Sequence, residues 1–160
     1  MIVFVEGVDG SGKSTLINQL SEYFTTVRVP KNQKDQLRIW LNLIDMSKTY
    51  DIITDRCPIS DYVYRMADGG NSEFTMMELL SIIHAGTVIW CKSSDSFEDS
   101  IKRGEDYVKT RLFHNTVSDC YNYLMKILKQ EGVKVIEYCW QFHDFNDLLK
   151  EVRLNGSDSI

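Results

Sequence analysis

The chain has 160 residues, 43% of them apolar and 26% charged, which is enough for one domain with a full hydrophobic core and too little for two. Its formal net charge of −5 argues against a protein that coats nucleic acid, because no overall basic field would steer it to a polyanion. No apolar run is long enough to span a membrane, and a strand is predicted directly after Met1 without a signal peptide, so we expect a cytoplasmic protein.

Apolar runs rich in β-branched residues alternate with helical patterns along the chain. The runs predict strands at residues 2–5, 26–29, 51–54, 87–91 and 133–139. Helical spacing predicts helices around residues 16–24, 36–46, 79–83, 117–128 and 145–152. Thr75 with Glu78, and Asp95 with Glu98, have the spacing of capping boxes. The alternation predicts an α/β fold with a parallel sheet, formed by one domain over residues 1–154 and followed by a polar tail over 155–160.

The most specific motif follows the first predicted strand. Gly7, Gly12, Lys13 and Ser14 fit the pattern G-x-x-x-x-G-K-[ST] between a strand and a helix, which is the context that a P-loop requires. The glycines let backbone N–H groups turn toward a phosphate, and the helix directs its positive end to the same place. Lys13 would reach the β- and γ-phosphates, and Ser14 would coordinate magnesium. We predict a nucleotide site formed by Asp9, Gly10, Ser11, Gly12, Lys13, Ser14 and Thr15.

An acidic and a basic residue follow the third predicted strand. Ligands of an open α/β sheet bind outside the carboxyl ends of its strands, so Asp55 and Arg56 are expected to face the P-loop. Asp55 is placed to hold magnesium, directly or through water, and Arg56 to hold a phosphate with its guanidinium. The alternative is a surface ion pair at a strand end.

Residues 102–111 carry four cations around Gly104. Such a segment could form a lid that closes on the transferring phosphate, excludes water and adds positive charge. Positions 8–11 of the P-loop contain neither arginine nor lysine, so Arg103 and Arg111 are the candidates for a catalytic arginine. The alternative is a solvated helix end with paired charges.

The four cysteines are scattered through the chain. They form no C-x-x-C pair and have no histidine at metal-binding spacing. We interpret all of them as reduced thiols, and those inside apolar runs as core residues.

Three groups of residues occur in the order found in thymidylate kinases. They are residues 4–15 (FVEGVDGSGKST), then Asp55-Arg56 with Ser60 and Tyr64, and then Arg103-Gly104 with Asp106. On these motifs the chain resembles the thymidylate kinases, and more broadly the P-loop nucleoside and nucleotide kinases. The resemblance implies a three-layer fold with a five-stranded parallel sheet of order 2-3-1-4-5 flanked by helices. It also implies ATP with Mg²⁺ as donor and a deoxynucleoside monophosphate, such as dTMP, as the acceptor that becomes a diphosphate.

The resemblance also assigns roles to single residues. Lys13, Ser14 and Thr15 would take the ATP phosphates and magnesium, with Ser14 and Asp55 as the metal ligands. The candidate catalytic residues are Lys13, Asp55, Arg56, Arg103 and Arg111. The candidate substrate contacts are Lys31, Arg56, Ser60, Tyr64, Arg65 and Trp40. Thymidylate kinases form homodimers through helices beside the sheet, and the apolar face of residues 74–83 could serve that purpose or pack in the core.

The chain departs from thymidylate kinases in the regions that read the base. Residues 29–32 (VPKN) stand where the family has Glu-Pro-Gly-Gly, and the family's Ala-Asp-Arg motif is not recognisable. Residues 55–60 (DRCPIS) replace Asp-Arg-Tyr-x-x-Ser, and Tyr64-Arg65 replaces Tyr-Gln. This compact form resembles small kinases carried by bacterial viruses. The sequence therefore leaves the base preference open.

Residues 29–35 bear on the acceptor group. A monophosphate is already nucleophilic and needs only positioning, whereas a hydroxyl profits from a carboxylate that accepts its proton. Deoxynucleoside kinases place a glutamate after the second strand, where this chain has Lys31; a phosphate acceptor is therefore favoured, although Asp35 could supply a base. Three hypotheses follow: a deoxynucleoside monophosphate kinase, a kinase for a hydroxyl of a nucleoside or of a nucleotide within DNA, and a nucleotide-binding protein without activity.

Overall fold

The computed structural model describes residues 1–30, 33–94, 96–104 and 110–157. The strands are β1 (Ile2–Glu6), β2 (Thr25–Val27), β3 (Ile52–Asp55), β4 (Thr87–Cys91) and β5 (Lys134–Tyr138). The helices are α1 (Lys13–Leu20), α2 (Gln36–Met46), α3 (Pro58–Ala67), α4 (Met76–Ile83), α5 (Ser96–Lys102), α6 (Arg111–Gln130) and α7 (Phe145–Ser157). No helix among the described residues is long and apolar enough to cross a membrane.

The five strands form one parallel sheet of order β2-β3-β1-β4-β5, as predicted. Strand β1 lies at its centre and is completely buried. Val5 pairs with Asp55 on one side and with Ile89 on the other. The P-loop after β1 therefore starts beside the residues that follow β3 and β4, because parallel strands end at the same edge of the sheet.

Each face of the sheet is covered by helices, which gives three layers. Alternate strand residues point to opposite faces: Phe4 packs in the layer of α2, α3, α4 and α6, and Val3 in the layer of α1 and α7. Burial on both faces explains why the three inner strands, β1, β3 and β4, are continuous apolar runs in the sequence. The apolar face of α4 is part of this core, since Leu79, Ile82 and Ile83 are fully buried.

Several elements differ from the sequence-based expectations at their ends. Helix α3 was not predicted; it begins at Pro58, and its N-cap residue provides no side-chain cap. Helix α7 continues to Ser157, five residues past the predicted end at 152, and so includes part of the predicted tail. The capping box at Thr75 is confirmed. Asp95, the other predicted cap, lies outside the described residues.

Thr54 provides a test of the packing. Its side chain is fully buried in β3, and its hydroxyl has no hydrogen-bond partner among the described residues. Thr54→Val should therefore raise the free energy of unfolding, by about 1 kcal/mol, because it removes a desolvated polar group at nearly constant volume. Urea unfolding measures the change. The matched control is Thr26→Val on the exposed part of β2, for which a change within about 0.5 kcal/mol is expected. A lower free energy of unfolding for Thr54→Val would contradict the interpretation that the buried Thr54 hydroxyl has no hydrogen-bond partner.

Candidate active site

The P-loop packs closely against β4 and α5. Gly7 and Gly10 have φ angles of 148° and 80°. A Cβ atom on Gly10 would overlap the backbone carbonyl of Ser96, and one on Gly7 that of Cys91. Only glycine fits these two positions. No side chain caps α1, and its first turn contains no acidic residue, so its N-terminal N–H groups are open to an anion.

Lys13 crosses the P-loop from the first turn of α1. The side chain is buried, and its ammonium donates hydrogen bonds of 2.8 Å to the carbonyl oxygens of Gly7 and Val8. The Asp9 carboxylate is 3.9 Å from Lys13 Nζ. Burial, and then the nearby Arg56 cation, lower the pKa of Lys13 to about 8. Lys13 therefore loses its proton more readily than an exposed lysine, and a neighbouring anion would raise its pKa again.

Asp9 joins the P-loop to the residues that follow β3. Its carboxylate forms an ion pair with Arg56 and accepts a hydrogen bond of 3.0 Å from the Tyr64 hydroxyl. The Arg56 guanidinium also lies over the Tyr64 ring, 5.4 Å from the centroid. Burial raises the pKa of Tyr64, so its hydroxyl remains a donor at neutral pH. The structure therefore brings Arg56, as expected, to the P-loop.

Two features of Arg56 are typical of a functional position. Its φ angle is +69°, which is uncommon for a residue other than glycine and costs free energy. Its Nη1 atom is buried without a hydrogen-bond partner among the described residues. A buried guanidinium nitrogen without a partner can donate a hydrogen bond to an anionic oxygen.

A cavity of about 580 Å³ opens beside this group. Asp9 and Arg56 line it, and so do the buried aromatic residues Trp40 and Phe74. Its volume is in the range of small-ligand sites. The described residues that the sequence suggested as substrate contacts all line it: Trp40, Arg56, Ser60, Tyr64 and Arg65.

Three further polar side chains of the cavity wall have partners within the protein, at different distances. Ser60 is held within the first turn of α3, where its hydroxyl donates to the Cys57 carbonyl. Arg65 is half exposed and lies 3.8 Å from Asp61. Asp55 is 28% exposed and forms a loose ion pair with Arg28 at 3.8 Å. Arg65 and Asp55 can therefore exchange these partners for a ligand at little cost.

The cationic segment after α5 is only partly described. Arg103 is exposed just beyond α5. Arg111 begins α6, forms an ion pair with Glu98 and lies over the Phe97 ring, 4.6 Å from its centroid. Among the described residues, neither arginine forms a hydrogen bond or an ion pair with the P-loop. Residues 105–109, and Lys31 of the predicted acceptor site, lie outside the described ranges.

Two residues near the P-loop were not singled out from the sequence. His114 of α6 is buried, with Nε2 3.2 Å from the Ser96 hydroxyl and 3.4 Å from the Asp9 carbonyl oxygen. Trp140 follows β5, packs against Gly12 and is 53% exposed. His114 has no sequence signal, since it is one polar position in a helix. An aromatic residue just after a strand of a parallel sheet is a weak signal, and it could have indicated Trp140.

Comparison with models of protein families gives no match, and neither does a sequence comparison with curated proteins. Solved structures match nearly the whole chain. The YorR protein from Bacillus subtilis in complex with phosphorylated GDP is 17% identical, with a TM-score of 0.73 over 96% of this chain and 94% of that one. Deoxyadenosine kinase from M. mycoides with bound dCTP is 14% identical, with a TM-score of 0.62 over 100% of both chains. Thymidylate kinase from Ehrlichia chaffeensis is 18% identical, with a TM-score of 0.54 over 96% and 97%. The chain therefore has a thymidylate kinase-like P-loop kinase fold.

Proposed function

We propose that this protein transfers the γ-phosphoryl group of ATP to the phosphate of a deoxynucleoside monophosphate and so forms the diphosphate. The observation that carries the proposal is the meeting of Asp9 and Arg56 in the wall of the cavity. A donor nucleotide on the P-loop and an acceptor nucleotide in the cavity would bring their phosphates together at this pair of residues. The kinase fold supports the proposal, and the residues around this pair would bind the phosphates.

The donor phosphates would lie over the P-loop. The open N–H groups at the start of α1 favour a polyanion, and Lys13 would exchange its two carbonyl partners for phosphate oxygens. Trp140, exposed beside Gly12, would contact the donor nucleotide. Ser14 and Thr15, both exposed on the first turn of α1, would approach the terminal phosphates.

The acceptor phosphate would lie on Arg56, whose unpartnered Nη1 supplies a donor. The base would lie between the aromatic residues of the cavity, with Arg65 at its edge. In the transfer, an acceptor phosphate oxygen bonds to the γ-phosphorus while the bond from that phosphorus to the β–γ bridging oxygen breaks, and ADP leaves. A monophosphate is mostly a dianion at neutral pH, so this step needs no general base.

The described residues fit a magnesium ion at the phosphates. The Ser14 hydroxyl and the Asp55 carboxylate are oxygen donors at the ends of neighbouring elements, α1 and β3, and oxygen is the ligand that magnesium prefers. Because Asp55 is only loosely paired with Arg28, its oxygens are available to the ion or to a water bound to it. Magnesium would neutralise negative charge on the phosphates.

Arg103 and Arg111 are the proposed lid cations. In the structure Arg111 is paired with Glu98, so its participation requires that ion pair to open. Such an exposed pair contributes little free energy and is easily displaced by a polyanion. The lid would then add positive charge as the phosphoryl group moves.

Asp55 also favours a second candidate function, a kinase that phosphorylates a hydroxyl. A hydroxyl acceptor would profit from a general base, and Asp55 is a partly exposed carboxylate in the cavity wall. Asp35, the base that the sequence suggested for this case, is not among the residues lining the cavity. The acceptor would be a nucleoside or a nucleotide within DNA.

An ADP-release assay separates these functions. The acceptors tested are the deoxynucleoside monophosphates, the nucleosides and an oligonucleotide, each with ATP and Mg²⁺. We expect turnover with at least one monophosphate. Turnover with hydroxyl acceptors alone would overturn the proposal in favour of the second function, and no turnover with any acceptor would indicate a nucleotide-binding protein without activity.

Arg56→Lys tests the acceptor site. A lysine keeps the charge but loses the forked guanidinium, so KM for the acceptor should rise by about tenfold or more, while KM for ATP stays within about twofold. Steady-state kinetics measure both constants. The control is Arg38→Lys on the exposed side of α2, outside the cavity, which should leave both unchanged. An unchanged acceptor KM for Arg56→Lys would show that the Arg56 guanidinium does not bind the acceptor phosphate.

The pKa of Lys13 gives a prediction on pH. With a pKa of about 8, Lys13 is largely neutral at pH 8.5, and the phosphates of bound ATP should raise its pKa and restore the charge. ATP binding at pH 8.5 should therefore take up a fraction of a proton. Calorimetry in buffers of different ionisation enthalpy measures the uptake. Lys13→Arg, which is charged throughout, should show no uptake, and equal values for the two proteins would contradict the prediction.

The tryptophans should report on the two sites separately. Trp140 lies at the P-loop and Trp40 in the cavity wall. ATP should change the fluorescence of Trp40→Phe but have little effect on Trp140→Phe, and an acceptor monophosphate should do the reverse. Titrations of both variants with each ligand provide the measurement. A response to ATP that depends on Trp40 instead of Trp140 would show that the two sites have been exchanged.

A further inference from the structure

The carboxylate of Glu6 is completely buried at the end of the central strand. Its Oε1 atom accepts hydrogen bonds from the backbone N–H groups of Cys57 at 2.6 Å and Ser60 at 3.2 Å, and its Oε2 atom accepts one of 2.8 Å from the Tyr121 hydroxyl. Three elements therefore meet at one side chain: β1, α3 and α6. The carboxylate is not among the groups that line the cavity, so it does not contact the proposed acceptor.

These contacts replace the missing cap of α3. The N-cap residue is Cys57, whose side chain forms no cap, and Pro58 has no N–H group. Ser60 is the third residue of the helix, and its N–H is the one that a capping side chain ordinarily satisfies. That N–H donates both to the Cys57 carbonyl at 3.1 Å and to Glu6, which lies 54 residues earlier in the chain and brings a negative charge to the positive end of the helix.

The same contacts hold the strained conformation of Arg56. Its own N–H donates to the Val5 carbonyl at 3.1 Å, and the next N–H, that of Cys57, donates to Glu6. The positive φ of Arg56 is thus fixed on both sides by bonds to consecutive residues of β1. Tyr64, which binds Asp9 together with Arg56, follows on the helix that Glu6 caps.

We propose that Glu6 is a positioning residue for the acceptor site: it holds the start of α3 against the end of β1, and so aims Arg56 and Tyr64 at the P-loop. This inference rests on the proposed function in so far as it concerns an acceptor. The positioning itself is a property of the fold and can be measured without any substrate.

Two substitutions separate the contacts from the charge. Glu6→Gln keeps an oxygen for both N–H groups and an amide for the Tyr121 oxygen, so the geometry of α3 is preserved. Glu6→Ala leaves the Cys57 N–H and the Tyr121 hydroxyl without their partner, whereas the Ser60 N–H keeps the Cys57 carbonyl oxygen at 3.1 Å. The control for a general loss of stability is Leu128→Ala, a buried position about two turns beyond Tyr121 on α6.

Amide hydrogen exchange tests the positioning directly. Exchange at Cys57 should accelerate at least about tenfold in Glu6→Ala relative to Leu128→Ala, and exchange at Ser60, which keeps the Cys57 carbonyl, should accelerate less. In Glu6→Gln both amides should stay within about threefold of wild type. If Glu6→Ala does not fold, Tyr121→Phe, which removes the third contact, provides the second measurement and should accelerate the same two amides. Unchanged exchange at Cys57 and Ser60 in the folded variants would overturn the proposal.

Kinetics then test the link to the acceptor. With the monophosphate that wild type uses best in the ADP-release assay, Glu6→Ala should raise the acceptor KM about tenfold, with the Kd for ATP, read from Trp140 fluorescence, within about twofold. Glu6→Gln should restore most of the acceptor affinity, and Leu128→Ala should change neither constant. If Glu6→Ala changes the Kd for ATP as much as the acceptor KM, or if Leu128→Ala has the same effects, Glu6 has only a structural role. If wild type uses no acceptor, the proposed function fails, and the exchange measurement alone decides the positioning.

Discussion

The hydrogen bonds of Glu6 join the three parts of the molecule on which the candidate site depends. A carboxylate without any solvent exposure is very unfavourable unless its oxygens are satisfied, and here the N–H groups of α3 and the hydroxyl of Tyr121 satisfy them. The parallel sheet makes this possible, because β1 and β3 end side by side and deliver the P-loop and Arg56 to the same edge. Loss of the carboxylate would leave unpaired polar groups on two helices at once.

Ion pairs and hydrogen bonds hold the cations of the candidate site. Arg56 is paired with Asp9, Lys13 with two backbone carbonyls and Arg111 with Glu98. Such partners keep the side chains in defined positions, which is the preorganisation that electrostatic catalysis requires. They are also weaker partners than a triphosphate with its magnesium, so a nucleotide can displace them.

Asp9 connects the two halves of the proposed reaction. It belongs to the P-loop, where the donor would bind, and it contacts Arg56 and Tyr64, which line the acceptor cavity. The carbonyl oxygen of the same residue lies near His114, which also contacts Ser96, so that α6 and the start of α5 reach this point as well. At 14–18% identity the solved kinases establish the fold, and the assignment of a reaction depends on these contacts.

The sequence alone determined the P-loop, the parallel α/β architecture and the position of Arg56, because each has a local signal: glycine spacing, apolar runs, or a charge at the end of a strand. The sheet order came from the resemblance to thymidylate kinases and is confirmed. The roles of all the site residues, including Arg103, Arg111 and Lys31, stay predictions. Helix α3 was missed because its cap is not in its own segment. Only the tertiary structure revealed that cap, the Asp9–Arg56 pair and the bond from Tyr121, since these contacts join residues 47 to 115 positions apart, a separation over which local periodicity carries no information.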